Sequence, residues 1–437
     1  MPDAVAAVLD FEQRPGDLWI LNDPYRGGTH LPDITLISPL FSAGERLGFA
    51  ASRAHHADVG GPTPAGMPVD STVLEDEGVV ITPTRATDES LAELADRMRS
   101  PSQRLADLRA QRAANLCGER RLSELVARHG VETLRAGMSE ILDYAERRAR
   151  AGLAELPDGE HNAEDVLEDD ARGPLREIRL RVAARIDGER LSLDFTGTDP
   201  QVEGNLNCPL PVTKSAAFFA VRALLDPDSL PSAGAHRPIE VIAPPGCLLN
   251  ARPPAAVAAG NVETSSRVAD LVIDALSGAT PAPAQGQGTM NNLTLAGTDW
   301  TYYETLGGGQ GACPGADGPS AIHVAMSNTL NTPVEALESE LPVRVRELSV
   351  RRGSGGEGRT RGGDGIVREI EALEPISFTL LTERRSHAPR GRDGGGDGKV
   401  GRNLLNGERL PSKASGELRP GDRLRIETPG GGGLGRG

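Results

Sequence analysis

Lysine is nearly missing from this 437-residue chain: Lys214, Lys399 and Lys413 are the only three, against 62 Asp and Glu, and the formal charge is −15. That acidity argues against nucleic-acid phosphates or an anionic membrane as partner. None of the lysines falls in a GxxxxGK[ST] motif, so a standard P-loop nucleotide site is absent from the sequence. Cysteine is scarce too. Cys117, Cys208, Cys247 and Cys313 lie far apart with no CxxC pair, which reads as free thiols in a reducing compartment. Aromatic residues make up 3% of the chain, and no apolar run reaches the roughly 18 residues that a membrane span needs. The GxSxG elbow and the HExxH helix of common hydrolases are both missing. The opening Met1-Pro2-Asp3-Ala4-Val5 has neither the basic nor the apolar region of a signal peptide, giving the expectation of a cytoplasmic protein.

What the chain does have is glycine (53) and proline (33), the composition of a fold rich in turns. The pattern predicts an α+β fold, mixed and multi-lobed, with β-hairpins and sheets, a helical hairpin over about 102–155 and glycine-rich loops. The expected division is a lobe over 1–100, the helical hairpin over 101–156, an α+β region over 157–285 and a β-rich lobe over 286–437; the four may also form one integrated domain. Leu105, Leu108, Ala113, Leu116, Leu122, Leu125 and Val126 recur at largely helical spacing and are the expected inner face of the first helix. Residues 175–197 alternate (Leu175, Ile178, Leu180, Val182, then Leu191, Leu193, Phe195) around Asp187-Gly188, a β-hairpin signal. Further helices are expected over 213–225 and about 263–276, and further strands near 293–295, 300–303, 343–350, 366–373, 376–381 and 423–428.

Three of the eight histidines fall in one short region, in Asn22-Asp23-Pro24-Tyr25-Arg26-Gly27-Gly28-Thr29-His30-Leu31-Pro32-Asp33 and Arg53-Ala54-His55-His56-Ala57-Asp58. Imidazole and carboxylate are the donors that Zn, Mn or Fe take. Residues 34–41 and 47–54 read as two strands of a hairpin joined by Ser42-Ala43-Gly44-Glu45-Arg46. If Phe41 pairs with Leu47, Asp33 lies across from His55, with Cβ atoms about 5 Å apart. A slip of one residue would oppose Asp33 to His56 instead. Either way a carboxylate meets an imidazole at the open end, and His30 can fold over from the loop. His30, Asp33 and His55 are therefore the candidate ligands of a divalent metal. Asp23, His56 and Asp58 are candidates for additional ligands or for groups that orient them, against the plainer reading of turn and strand-end chemistry.

Three polar loops contain Asn207, Asn261 with Glu263, and Asn291, which could hydrogen-bond a planar amide or imide; turn and capping chemistry explains them equally well. Gly353-x-Gly355-x-x-Gly358 and Gly430-x-Gly432-x-x-Gly435 formally fit a dinucleotide fingerprint, but neither stands between a strand and a helix. Tight turns and close backbone approach are the favoured reading. Arg384-Arg385 is expected to be solvated or salt-bridged.

The same stretches carry a resemblance. Gly16 through Asp33, Ala51–Gly61, Met67–Thr72, Val257–Arg267, Gln287–Leu293, Glu304–Ala321, Asn328–Glu338 and Pro429–Gly433 resemble the B-type component of hydantoinases and 5-oxoprolinases. That family includes N-methylhydantoinase B and the large catalytic subunit of acetone carboxylase. The resemblance implies an enzyme subunit in a hetero-oligomer with a hydantoinase A-type partner that binds the ATP used by the complex. The pair would open a cyclic amide such as a hydantoin or 5-oxoproline. Two alternatives are an ATP-dependent ketone carboxylase subunit and a degenerate, non-catalytic partner of an A-type subunit. In the carboxylase relatives the B-like subunit holds a divalent metal, and the matching positions are His30, Asp33 and His55. Relatives usually carry a further N-terminal segment, expected to supply another carboxylate.

Overall fold

The computed structural model describes residues 1–169 and 176–437; Leu175 lies outside the described residues. Among them stand four sheets and a long helical hairpin, an α+β fold. The first sheet runs in the order Glu45–His55, Asp33–Ser42, Trp19–Leu21, Thr84–Arg85, all antiparallel. Its core is Leu18, Ile20, Leu31, Ile34 and Leu36 with Leu91, Leu94 and Leu108 packed against them.

The helices Pro101–His129 and Val131–Ala154 meet at Gly130, as the spacing predicts. The face they bury differs from expectation. Of the seven apolar residues expected to pack, only Leu108 is fully enclosed, while Leu116 and Leu125 are exposed. The inner face of the first helix is Arg104, Leu108, Gln111 and Asn115, one residue per turn. The reason is what lies beneath it. Gln111 Nε2 donates to the carbonyls of Ile34 (3.0 Å) and Ser52 (3.4 Å), and Asn115 Nδ2 to that of Leu36 (3.1 Å). Polar side chains here satisfy strand carbonyls, which apolar ones would leave unpaired.

The middle sheet (Gly159–Leu167, Ile178–Asp187, Arg190–Asp194, Ile239–Ile242) obeys strict alternation: Ile178, Leu180, Val182, Ala184 and Ile186 point inward. It packs on the helices Leu210–Leu225 and Ser265–Leu276. The second of these is buried nearly all round, as a helix at the centre of a molecule must be. The C-terminal part stacks a sheet ordered Thr301–Glu304, Asn292–Ala296, Ile376–Leu381, Lys413–Leu418 against a five-stranded one that holds Val343–Arg351, Gly365–Ala372 and Arg423–Glu427.

The glycine loops make close backbone approaches. They lie against one another, backbone to backbone. The amide of Gly431 donates to Gly363, Gly356 to Gly431, Gly433 to Gly396 and Gly363 to Gln310. A Cβ on Gly309, Gly355, Gly362 or Gly431 would overlap a neighbouring carbonyl. Among the described residues no helix is long and apolar enough to cross a membrane.

Candidate functional site

The loop carrying His30 is fixed at both ends by one buried side chain. Asn22 Nδ2 donates to the carbonyls of Leu31 and Val79, both at 2.9 Å, and its Oδ1 accepts from the Ile81 amide at 2.6 Å. Gly28 lets the loop close on itself, since a Cβ there would lie within the Asn22 carbonyl. The loop delivers His30 to full burial and ends at Asp33, the first residue of the long hairpin.

The hairpin pairs Asp33 with His55, the register read from the sequence. At the other end it departs from expectation. Ala43 and Gly44 form a two-residue turn with both φ angles positive (49° and 83°), and Phe41 pairs with Arg46. A bulge beside Leu40 and Phe41 absorbs the extra residue and restores the register at the mouth.

His30 Nε2 stands 3.5 Å from Asp33 Oδ2, which also accepts from Thr29 Oγ1 at 2.8 Å. The His30 and His55 rings are 5.1 Å apart and tilted by 58°. Among the described residues buried His30 Nδ1 has no hydrogen-bond partner, and Nε2 has only the long contact to Asp33. Burial alone would raise the Asp33 carboxyl, but the charge and hydrogen bond of His30, with His55 and Thr29, hold it well below the usual carboxylate range. Enclosure by protein, then the nearby His30, pushes the His55 imidazolium down. Both groups still reach solvent: the Asp33 side chain keeps 18% of its surface, and His55, crowded though it is by its neighbours, is exposed.

The imidazoles of His30 and His55 beside the Asp33 carboxylate are the kinds of donor a divalent cation takes. The fit is one of donor kind. Among the described residues no three His, Cys, Asp or Glu side chains stand together closely enough to hold an ion.

The three neighbouring candidates face elsewhere. His56 Nε2 meets Gln111 Oε1 at 2.9 Å, beneath the helical hairpin. Asp58 accepts from the amides of Gly60, Ala65 and Arg99 and pairs with the Arg99 guanidinium at 3.1 Å. Asp23 accepts from the Tyr25 amide at 2.9 Å and lies 3.6 Å from Arg26. Of the polar-loop residues, Asn207 is consumed by the carbonyls of Val202, Gly204 and Ala256 and the Val202 amide. Asn291 bridges Gln287, Leu306 and Arg385. Asn261 is half-buried, on a π-turn over Gly260–Thr264.

That π-turn aims Glu263 at the site from behind. Its Oε1 accepts from the Met290 amide (3.1 Å) and Asn292 Nδ2 (2.8 Å), while its buried Oε2 has no partner. Burial, with the charge of Glu383 added, pushes its carboxyl up to about 7. Sequence reasoning missed the residue that joins this group to the histidines. Tyr303 stacks on His55 (4.8 Å between centroids, 11° between planes), and its hydroxyl donates to Asn292 Oδ1 at 2.8 Å. The only signal was the rarity of tyrosine, four in the chain.

Beyond Glu263 lies a buried ionic cluster. Arg267 spans Asp165 (3.2 Å) and Glu383 (3.4 Å), Lys413 also pairs with Glu383, and Arg384 bridges Asp165 (3.3 Å) and Asp270 (3.2 Å). Arg384 is thus salt-bridged, one of the two roles expected of it; Arg385 is buried and donates to Asn291 and Asn403. On the other side, a cavity of about 540 Å³ has Phe218, Phe219, Leu225 and Ile239 in its wall, with Arg53 and Thr29 leading toward Asp33.

Residues 1–437 match the hydantoinase B/oxoprolinase family. The chain is 37% identical to a 5-oxoprolinase of Dictyostelium discoideum over 97% of its own length and 34% of that protein. It is 32% identical to a Pseudomonas protein named as the B-type component of a D-/L-hydantoinase, over 84% of this chain and 65% of the relative. It therefore spans about a third of the curated 5-oxoprolinases it matches. Among solved structures, the ATP-dependent caprolactamase of Pseudomonas jessenii superposes with a TM-score of 0.90 at 27% identity, covering 99% of this chain and 79% of that one. An acetone carboxylase superposes at 0.83 with 17% identity, over 99% and 66%, a likeness of fold.

Proposed function

We propose, for a chain that belongs to the hydantoinase B/oxoprolinase family, that it is the B-type subunit of an ATP-dependent cyclic-amide hydrolase. It opens a hydantoin, 5-oxoproline or related lactam ring together with an A-type subunit that binds the nucleotide. The observation that carries this reading is the meeting of buried His30, its Nδ1 unpartnered among the described residues, with Asp33 and His55. The names of the relatives, a 5-oxoprolinase, a hydantoinase component and a caprolactamase, supply the substrate class. The missing P-loop accords with a nucleotide held elsewhere.

His30, Asp33 and His55 would hold a divalent Mn, Zn or Fe ion, which when bound supplies Lewis acidity at the ring carbonyl or an activated water. Asp33, ionised beside His30, brings the negative charge that such a cation needs. The substrate approaches from the solvent side of Asp33 and His55, with Tyr303 stacked behind the His55 ring. Half-buried Asn261 is the polar-loop group left to hydrogen-bond its amide edge, since Glu263 is fully buried against Met290 and Asn292. A largely apolar cavity lies beside Thr29, which donates to Asp33, and is of a size that suits a small ring.

Two measurements test this. The protein co-purified with its A-type partner should hydrolyse ATP faster when hydantoin, 5-oxoproline or caprolactam is added. Stimulation by a ketone with bicarbonate alone would replace hydrolysis by carboxylation, and silence with every substrate would leave a structural subunit. Separately, His55→Ala should abolish retention of Mn, Zn or Fe by elemental analysis while the melting temperature holds; unchanged metal content would overturn the assignment.

A further inference from the structure

We infer that Tyr303 is the positioning residue for His55, and that Asn292 and Glu263 form the clamp that holds Tyr303 in place. The inference rests on the reading of His55 as a site ligand, but its geometry is independent of any bound ion.

The orientation of the Asn292 amide decides the direction of every bond in the clamp. Its Nδ2 lies 2.8 Å from Glu263 Oε1 and 2.8 Å from the carbonyl oxygen of Leu381. A carbonyl oxygen can only accept, so this end of the amide must be its NH₂. The other end, Oδ1, is therefore an acceptor, and the Tyr303 hydroxyl 2.8 Å away must donate to it. Tyr303 has a single hydroxyl proton, and it is spent on Asn292. The ring is thus fixed in direction by a bond at its far end, and its face lies flat on His55.

Each member comes from a different part of the fold. Asn292 begins a strand and pairs with Leu381, Tyr303 sits on the neighbouring strand, and Glu263 hangs from the π-turn. Single π-turns of this sort recur at functional sites because they re-aim one side chain without breaking the helix. Charged and titratable groups facing Glu263 are Glu383, Lys413, Arg385 and Tyr303. None of them competes with Glu263 Oε1 for the Asn292 NH₂. The clamp needs only an acceptor at that position, so an amide oxygen there should serve as well as a carboxylate.

This gives a test with a built-in rescue, read on histidine-labelled protein by NMR and by Mn(II) titration. Asn292→Leu and Tyr303→Phe, both of similar shape to the native residue, should shift the His55 ring resonances. They should also weaken Mn(II) about tenfold or more, the usual cost of losing a group that orients a ligand. Glu263→Leu should do the same, whereas Glu263→Gln should leave both readouts at wild-type values. Melting temperatures separate loss of the clamp from loss of the fold, and Tyr303→Phe, which keeps the buried ring, covers the case in which Asn292→Leu unfolds. Unmoved His55 resonances in Tyr303→Phe and Asn292→Leu would overturn the inference. If the wild type binds no Mn(II), the reading of the site as a metal centre fails while the resonance test of the clamp still stands.

Discussion

Among the described residues the buried Glu77 carboxyl is held by backbone and hydroxyl donors and by no cation. Its Oε1 accepts from the amides of Val257 (2.9 Å) and Ala258 (2.8 Å) and from Ser71 Oγ (3.1 Å), and its Oε2 is buried without a partner. It ties the loop behind the first sheet to the segment leading into the π-turn. Burial pushes its carboxyl up to about 8, against those hydrogen bonds, from an ordinary 4.5. Between these values the folded protein keeps a proton that the unfolded chain releases, so stability from this residue falls as pH rises. The slope is about 1.4 kcal/mol per pH unit. Glu77→Gln preserves the acceptor oxygen and removes the titration. In denaturant melts the variant should gain on the wild type from about pH 5 to about pH 8 and hold a constant advantage above; parallel pH profiles would refute this.

The long hairpin shows how an element can be right at one end for reasons hidden at the other. Its mouth was legible from the lengths of the strands and their loop: taking Phe41 opposite Leu47 gave the pairing of Asp33 with His55, which the structure reaches through a tighter turn and a compensating bulge. The turn was not. Ala43 takes a positive φ that non-glycine residues avoid, at a cost of about 1–2 kcal/mol, so Gly44 is the one local turn signal and the first turn position carries none. Asparagine tolerates this conformation better. Ala43→Asn should therefore raise the denaturation midpoint, corresponding to about 0.5 kcal/mol or more; a lower midpoint would count against the turn geometry. The helical hairpin failed in another way. Its existence and ends follow from spacing and Gly130, but its buried face is chosen by strand carbonyls that only the folded hairpin presents.

At the scale of the molecule, the site is assembled from the first sheet (Asp33, His55), the π-turn (Glu263) and a C-terminal strand pair (Asn292, Tyr303). Histidine and aspartate within one local motif could be found by ligand type. Tyr303, far along the chain, could not, since no local pattern encodes that contact. The ionic cluster around Arg267 ties the middle sheet, through Asp165, to the helix after the π-turn and to Glu383 and Lys413 of the C-terminal part. Arg267→Met would leave Asp165 and Glu383 short of a partner in a buried setting, and should cost about 3–5 kcal/mol, read as a drop in the urea midpoint. A change below about 1 kcal/mol would mean the cluster relaxes freely. The interlocked glycine backbones at the C-terminal end have a thermal consequence. Packing peptide groups on one another hides polar rather than oily surface, and exposing polar surface lowers heat capacity by about 0.26 cal/K/mol/Å² where apolar surface raises it by about 0.45. This part of the molecule therefore holds together through enthalpy with little heat-capacity increment, and its stability changes less steeply on cooling than that of the leucine-rich cores beside it.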